Sequence, residues 1–73
     1  MSEADKMFEK LGYKKVDGLN DNFVIWYVLK QYSNINRICF NIIDKKIHFE
    51  LDYDISIKEL QAINKKVEEL GWN

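Results

Sequence analysis

The 73-residue chain sets 11 Lys and Arg against 12 Asp and Glu, for a formal net charge of −1, and has 47% hydrophobic residues, three glycines, one cysteine and no proline. That length holds one domain, spanning 1–73, and a domain so small buries only roughly 60% of the surface its unfolded chain exposes. A single cysteine, Cys39, excludes an internal disulfide; Cys39 and the only histidine, His48, fall short of the about four ligands of a structural zinc site; and interspersed, balanced charges lack the basic stripe of a typical nucleic-acid binder.

The first predicted element is a helix over residues 2–11. Ser2 followed by Asp5 is a variant of the capping box, and Ala4, Met7, Phe8 and Leu11 recur at helical spacing. Gly12 stops the helix, and Tyr13 is expected to fold back on Phe8 in a Schellman cap. Residues 13–16 suit a short edge strand ahead of an Asp17-Gly18 turn. Residues 23–31 are apolar on both faces and read as a central strand.

Ser33-Asn34-Ile35-Asn36 suits a four-residue turn. In the next strand Ile38, Phe40 and Ile42 alternate with Arg37, Cys39 and Asn41. Residues 47–53 alternate again, with Ile47, Phe49, Leu51 and Tyr53 on one side and His48, Glu50, Asp52 and Asp54 on the other. Cross-strand neighbours share a face, so the connection through Asp44-Lys45-Lys46 needs an even-numbered loop. The last helix opens on an S-x-x-E capping box, Ser56 and Glu59, with Ile55 and Leu60 placed as a hydrophobic staple. Leu60, Ile63, Val67 and Leu70 form its expected buried stripe, and Gly71 stops it, with Trp72 folding back on Val67.

The fold class is therefore α+β: a two-layer sandwich of an N-terminal helix, a three- to four-stranded antiparallel meander and a C-terminal helix. Both amphipathic helices are expected on one sheet face. Even-length turns put Ile25, Tyr27 and Leu29 on the helix side and turn Val24, Trp26 and Val28 outward, with Ile43 opposite Trp26. An odd first turn would exchange the two sets and place Trp26 in the core.

Little in this pattern points to chemistry. The expected pairing sets Cys39 opposite Glu50 or Asp52, leaving His48 too far along the strand for a working Cys/His dyad, and a strand offers no helix N-terminus to lower the thiol pKa. His48, Glu50, Asp52 and Asp54 read as the polar face of a strand rather than as cation ligands. No glycine-rich phosphate loop occurs. In the last helix Lys58 in the first turn and Glu68 and Glu69 in the last oppose the macrodipole, which Lys65 can partly offset. Trp26 beside Arg37 could stack and pair with a single strand, but the acidic row expected on that face would repel phosphate. The expectation is a non-enzymatic domain with no cofactor or metal. The opening Met-Ser-Glu-Ala-Asp predicts no signal peptide, the longest apolar run, 23–29, is far short of the ~20 residues that span a bilayer, and a lone cysteine fits a reducing, cytosolic setting.

Residues 4–13, Ala-Asp-Lys-Met-Phe-Glu-Lys-Leu-Gly-Tyr, and 60–72, Leu-Gln-Ala-Ile-Asn-Lys-Lys-Val-Glu-Glu-Leu-Gly-Trp, resemble the termini of small uncharacterised proteins from phages and prophages of Gram-positive bacteria. The resemblance covers about a third of the chain, and the strands match only in pattern. It implies a phage-encoded accessory protein in the host cytosol that binds a host protein, such as defence machinery, and it brings no catalytic residues. The candidate binding residues are Val24, Trp26, Val28, Arg37 and Ile43, with a host factor or a second copy of the chain as partner. The alternative is a single-stranded nucleic-acid-binding module using the same open face.

Overall fold

The computed structural model describes residues 2–17 and 23–72. Helix α1 spans Glu3–Lys10, followed by strands β1 (Lys14–Asp17), β2 (Val24–Gln31), β3 (Asn34–Asn41) and β4 (Lys46–Glu50) and helix α2 (Ile57–Glu69). The strands form one antiparallel meander in the order β1-β2-β3-β4, and both helices pack on the same side of it. The expected Asp17-Gly18 turn involves Gly18, which lies outside the described residues.

Both helices begin and end as their local sequence dictates. Ser2 Oγ accepts from the Asp5 amide at 2.9 Å. Ser56 Oγ accepts from the Glu59 amide at 3.2 Å while Glu59 Oε1 accepts from the Ser56 amide at 2.9 Å, a complete capping box. At the C-termini Gly12 and Gly71 take φ of 96° and 72°, which a residue with a Cβ adopts only under strain. Tyr13 then donates to the Phe8 carbonyl and Trp72 to the Val67 carbonyl, as a Schellman motif requires.

The sheet presents Ile25, Tyr27 and Leu29 to the helices, and turns Val24, Trp26 and Val28 away from them, as the even-turn reading expects. Its pairing differs in detail. β2 and β3 are joined by the two residues Tyr32 and Ser33, so that Gln31 pairs with Asn34 and Trp26 with Cys39. The expected turn at 33–36 is therefore two residues too far along, and Ile43 does not oppose Trp26. Tyr32 carries the positive φ, 57°, that a tight hairpin needs at its first central position. Because both turns are of even length, the shift exchanges partners without exchanging faces.

β3 and β4 are joined by residues 42–45, pairing Phe40 with Ile47 and Cys39 with His48. Asn41 Oδ1 accepts from the Asp44 amide at 2.9 Å and closes this turn one side-chain length from the strand end. β4 also stops at Glu50 instead of continuing to Tyr53. The cause is buried Asn36, whose Oδ1 accepts from the amides of Asp52 (2.8 Å) and Tyr53 (3.3 Å) and whose Nδ2 donates to the Tyr53 carbonyl (3.3 Å). Asp52 in turn accepts from the Ile35 amide at 2.7 Å. These bonds hook residues 51–53 over the end of β3, so Asp52 does not continue the polar row of His48 and Glu50.

The core joins Phe8, Tyr13, Tyr27, Leu29, Ile38, Phe40, Ala62 and Ile63. Phe8 stacks on Tyr27 at 4.0 Å between centroids and meets Tyr13 edge-on at 5.5 Å. α2 is rotated from the expected stripe: Glu59, Ala62, Ile63 and Lys66 are its buried residues, Val67 and Leu70 are half-buried, and Leu60 is 42% exposed. Two polar side chains fix that rotation. Glu59 Oε2 accepts from the Tyr13 hydroxyl, and Lys66 Nζ lies 3.6 Å from Asp5 and 3.9 Å from Glu69.

Candidate functional site

The sheet face away from the helices is the surface on which the candidate residues gather. Strand alternation stacks them in rows. Val16, Trp26, Cys39 and His48 stand side by side across all four strands; Lys14, Val28, Arg37 and Glu50 form the adjacent row. Val24 pairs with Asn41 and then Lys46, and Lys30 pairs with Ile35. Trp26, Val28 and Val24 are half-buried, Val16 is 44% exposed, and Lys14, Lys30 and Lys46 are exposed.

Trp26 reaches across Cys39 to His48, with ring centroids 6.4 Å apart at 83°. Glu50 accepts from Arg37 at 3.2 Å and lies 3.2 Å from His48 Nε2. The structure thus brings Val24, Trp26, Val28 and Arg37 onto one face. It separates Ile43, which sits in the β3–β4 turn, 64% exposed.

The Cys39–His48 neighbour relation corrects the expected pairing of Cys39 with Glu50 or Asp52. A loop of four residues was already compatible with it, and the Asx turn at Asn41 is the local signal that selects it. The thiol is nevertheless 6% exposed in mid-strand, without the access or the helix N-terminus that activates a nucleophile. Among the described residues no group of three or more His, Cys, Asp or Glu is placed to hold a metal ion, and no helix is long and apolar enough to cross a membrane.

Sequence reasoning also missed the electrostatics of this face. Among its described strand residues Lys14, Lys30, Arg37 and Lys46 are basic and Glu50 alone is acidic. The acidic row expected there ends at Glu50, because Asp52 is drawn off to Ile35 and Asn36.

A concavity of about 610 Å³ lies between α1 and β1, lined by Asp5, Phe8, Tyr13, Lys15 and Tyr27 among others. Its Asp5, Lys15 and Tyr27 side chains are already engaged with one another, and Tyr13 donates to Glu59. Tyr27 donates to Asp5, and Lys15 Nζ stands 3.2 Å from the same carboxylate. Burial, and then the hydrogen bonds to Glu59 and Asp5, push the Tyr13 and Tyr27 hydroxyls far above their ordinary value, which keeps both protonated as donors. No protein-family model, curated protein or solved structure matches the chain.

Proposed function

We propose that the protein is a non-enzymatic binding module that acts by protein–protein contact through its helix-free sheet face. The observation that carries this reading is the apolar centre of that face, where Val16, Val24, Trp26 and Val28 stand together on the side that neither helix covers. Contiguous apolar surface on a small domain marks a contact site, and a tryptophan is a typical anchor within one. The resemblance of the helical segments to phage proteins supports a wider reading: an accessory protein whose target is a host factor.

The test is Trp26→Ser, with folding followed by circular dichroism and association by light scattering and pull-down from bacterial lysate. Because Trp26 lies outside the core cluster, the variant is expected to fold and to lose its partner. A folded variant that keeps both its oligomeric state and every partner refutes the reading.

A second reading, a single-stranded nucleic-acid-binding module, is favoured by the basic residues of the same face. It predicts an oligonucleotide affinity that falls steeply with salt.

A further inference from the structure

We propose that the occupant of the open sheet face is an acidic protein surface, an apolar knob rimmed with Asp or Glu, and not a second copy of this chain. The inference rests on the binding-face reading above and adds the chemistry of the partner.

The charge of the face argues for it. The chain as a whole carries −1, yet this face sets Lys14, Lys30, Arg37 and Lys46 against Glu50 alone among its described strand residues. Arg37 is already paired with Glu50 at 3.2 Å. The excess positive charge therefore lies on Lys14, Lys30 and Lys46, at the ends of the rows, flanking the apolar patch of Val16, Trp26 and Val28. Lys14, Val16, Val28 and Lys30 together line one shallow depression on the face. An apolar patch with a polar rim is the anatomy of a protein interface, and a rim with an excess of one sign favours a partner of the other.

The same charges count against the competing occupants. Two copies meeting face to face through a two-fold axis would bring one basic rim against another, since an isologous contact presents the same patch from both sides. A single strand of nucleic acid would meet the lysines but little to stack on. Binders of that class align several aromatic rings under successive bases. Here the centre is valine, and the one aromatic side chain in it, Trp26, is half-buried with His48 set against it.

Backbone amide shifts measured by NMR test the proposal, with four probes: a glutamate–tyrosine copolymer, a lysine–tyrosine copolymer, oligothymidylate, and the chain itself at rising concentration. The glutamate–tyrosine copolymer is expected to shift the amides of Lys14, Val16, Trp26, Val28 and Lys30. That binding should weaken as salt is added and be lost in a Lys14→Glu/Lys30→Glu variant that remains folded by circular dichroism. Both lysines are exposed, so reversal of their charge leaves the core untouched.

Undiminished binding by the charge-reversed variant overturns the proposal. So does a stronger response of the same amides to oligothymidylate, which makes nucleic acid the occupant, or to a second copy of the chain. If the lysine–tyrosine copolymer binds this face in preference, the face is a binding surface and the acidic partner is wrong. If no probe moves these amides, both the binding-face reading and the acidic partner fall.

Discussion

At the scale of single residues, Asn36 shows how one buried polar side chain reshapes its surroundings. It is fully buried and makes three hydrogen bonds to the backbone of Asp52 and Tyr53. In the sequence it reads as a turn residue, because Ser33-Asn34-Ile35-Asn36 has turn composition, and nothing local announces that its partners lie 16 and 17 positions away. Asn36→Ala leaves two amides and a carbonyl without this partner. A buried polar group so orphaned costs about 1–3 kcal/mol, and the loss is expected as a lower urea midpoint; an unchanged midpoint would mean that residues 51–53 hold their course without it. Tyr53 presents the opposite case, since its buried hydroxyl finds no hydrogen-bond partner among the described residues. Tyr53→Phe is therefore expected to leave the midpoint unchanged or raise it, and a lowered midpoint would show that the hydroxyl is satisfied.

At the scale of elements, what was legible is what is local. Both helices, both Schellman ends and the Ser56–Glu59 box follow from residues within about one turn of each other. Ser56→Ala should accordingly cost about 0.5–2 kcal/mol, read from chemical denaturation; a shift outside that range would show that the cap is not what fixes the start of α2. The face assignment of β2 was legible because it depends only on the parity of the turns. The turn positions were not, since Tyr32 supplies a positive φ without being glycine. Helix charge was also misread when each helix was taken alone. Glu69 opposes the dipole of α2, but its Oε2 accepts from the Ala4 amide at 2.8 Å and so caps the N-terminus of α1. Lys65 lies 3.4 Å from Glu68, as their spacing suggests.

At the scale of the whole molecule, the two layers are joined by a charged network as well as by the core, and that network makes the fold sensitive to acid. Asp5 of α1 accepts from the Tyr27 hydroxyl of β2, lies 3.2 Å from Lys15 of β1 and lies 3.6 Å from Lys66 of α2. Lys66 is nearly buried, at 7% side-chain exposure, so the Asp5 carboxylate is a main partner of a charge held away from water. Burial pushes the Asp5 carboxyl up. The hydrogen bonds from Tyr27 and Lys15 and the charges of Lys66 and Lys15 outweigh it and hold the group below its ordinary value of 3.8. A carboxyl whose folded pKa is depressed releases its proton more readily in the folded state than in the unfolded one. Its contribution to stability is thus complete above that ordinary, unfolded-state value and disappears as the pH falls through the lower folded value. Asp5→Asn should cost about 1.5–3 kcal/mol at neutral pH, the worth of hydrogen bonds to a charged group. The gap between the variant and the parent should then close as the pH drops below that range, because the parent loses the same charge by protonation. Urea midpoints for both proteins from neutral pH to strongly acid pH provide the measurement. A gap that stays constant across that interval would show that Asp5 stabilises the junction by shape and not by charge.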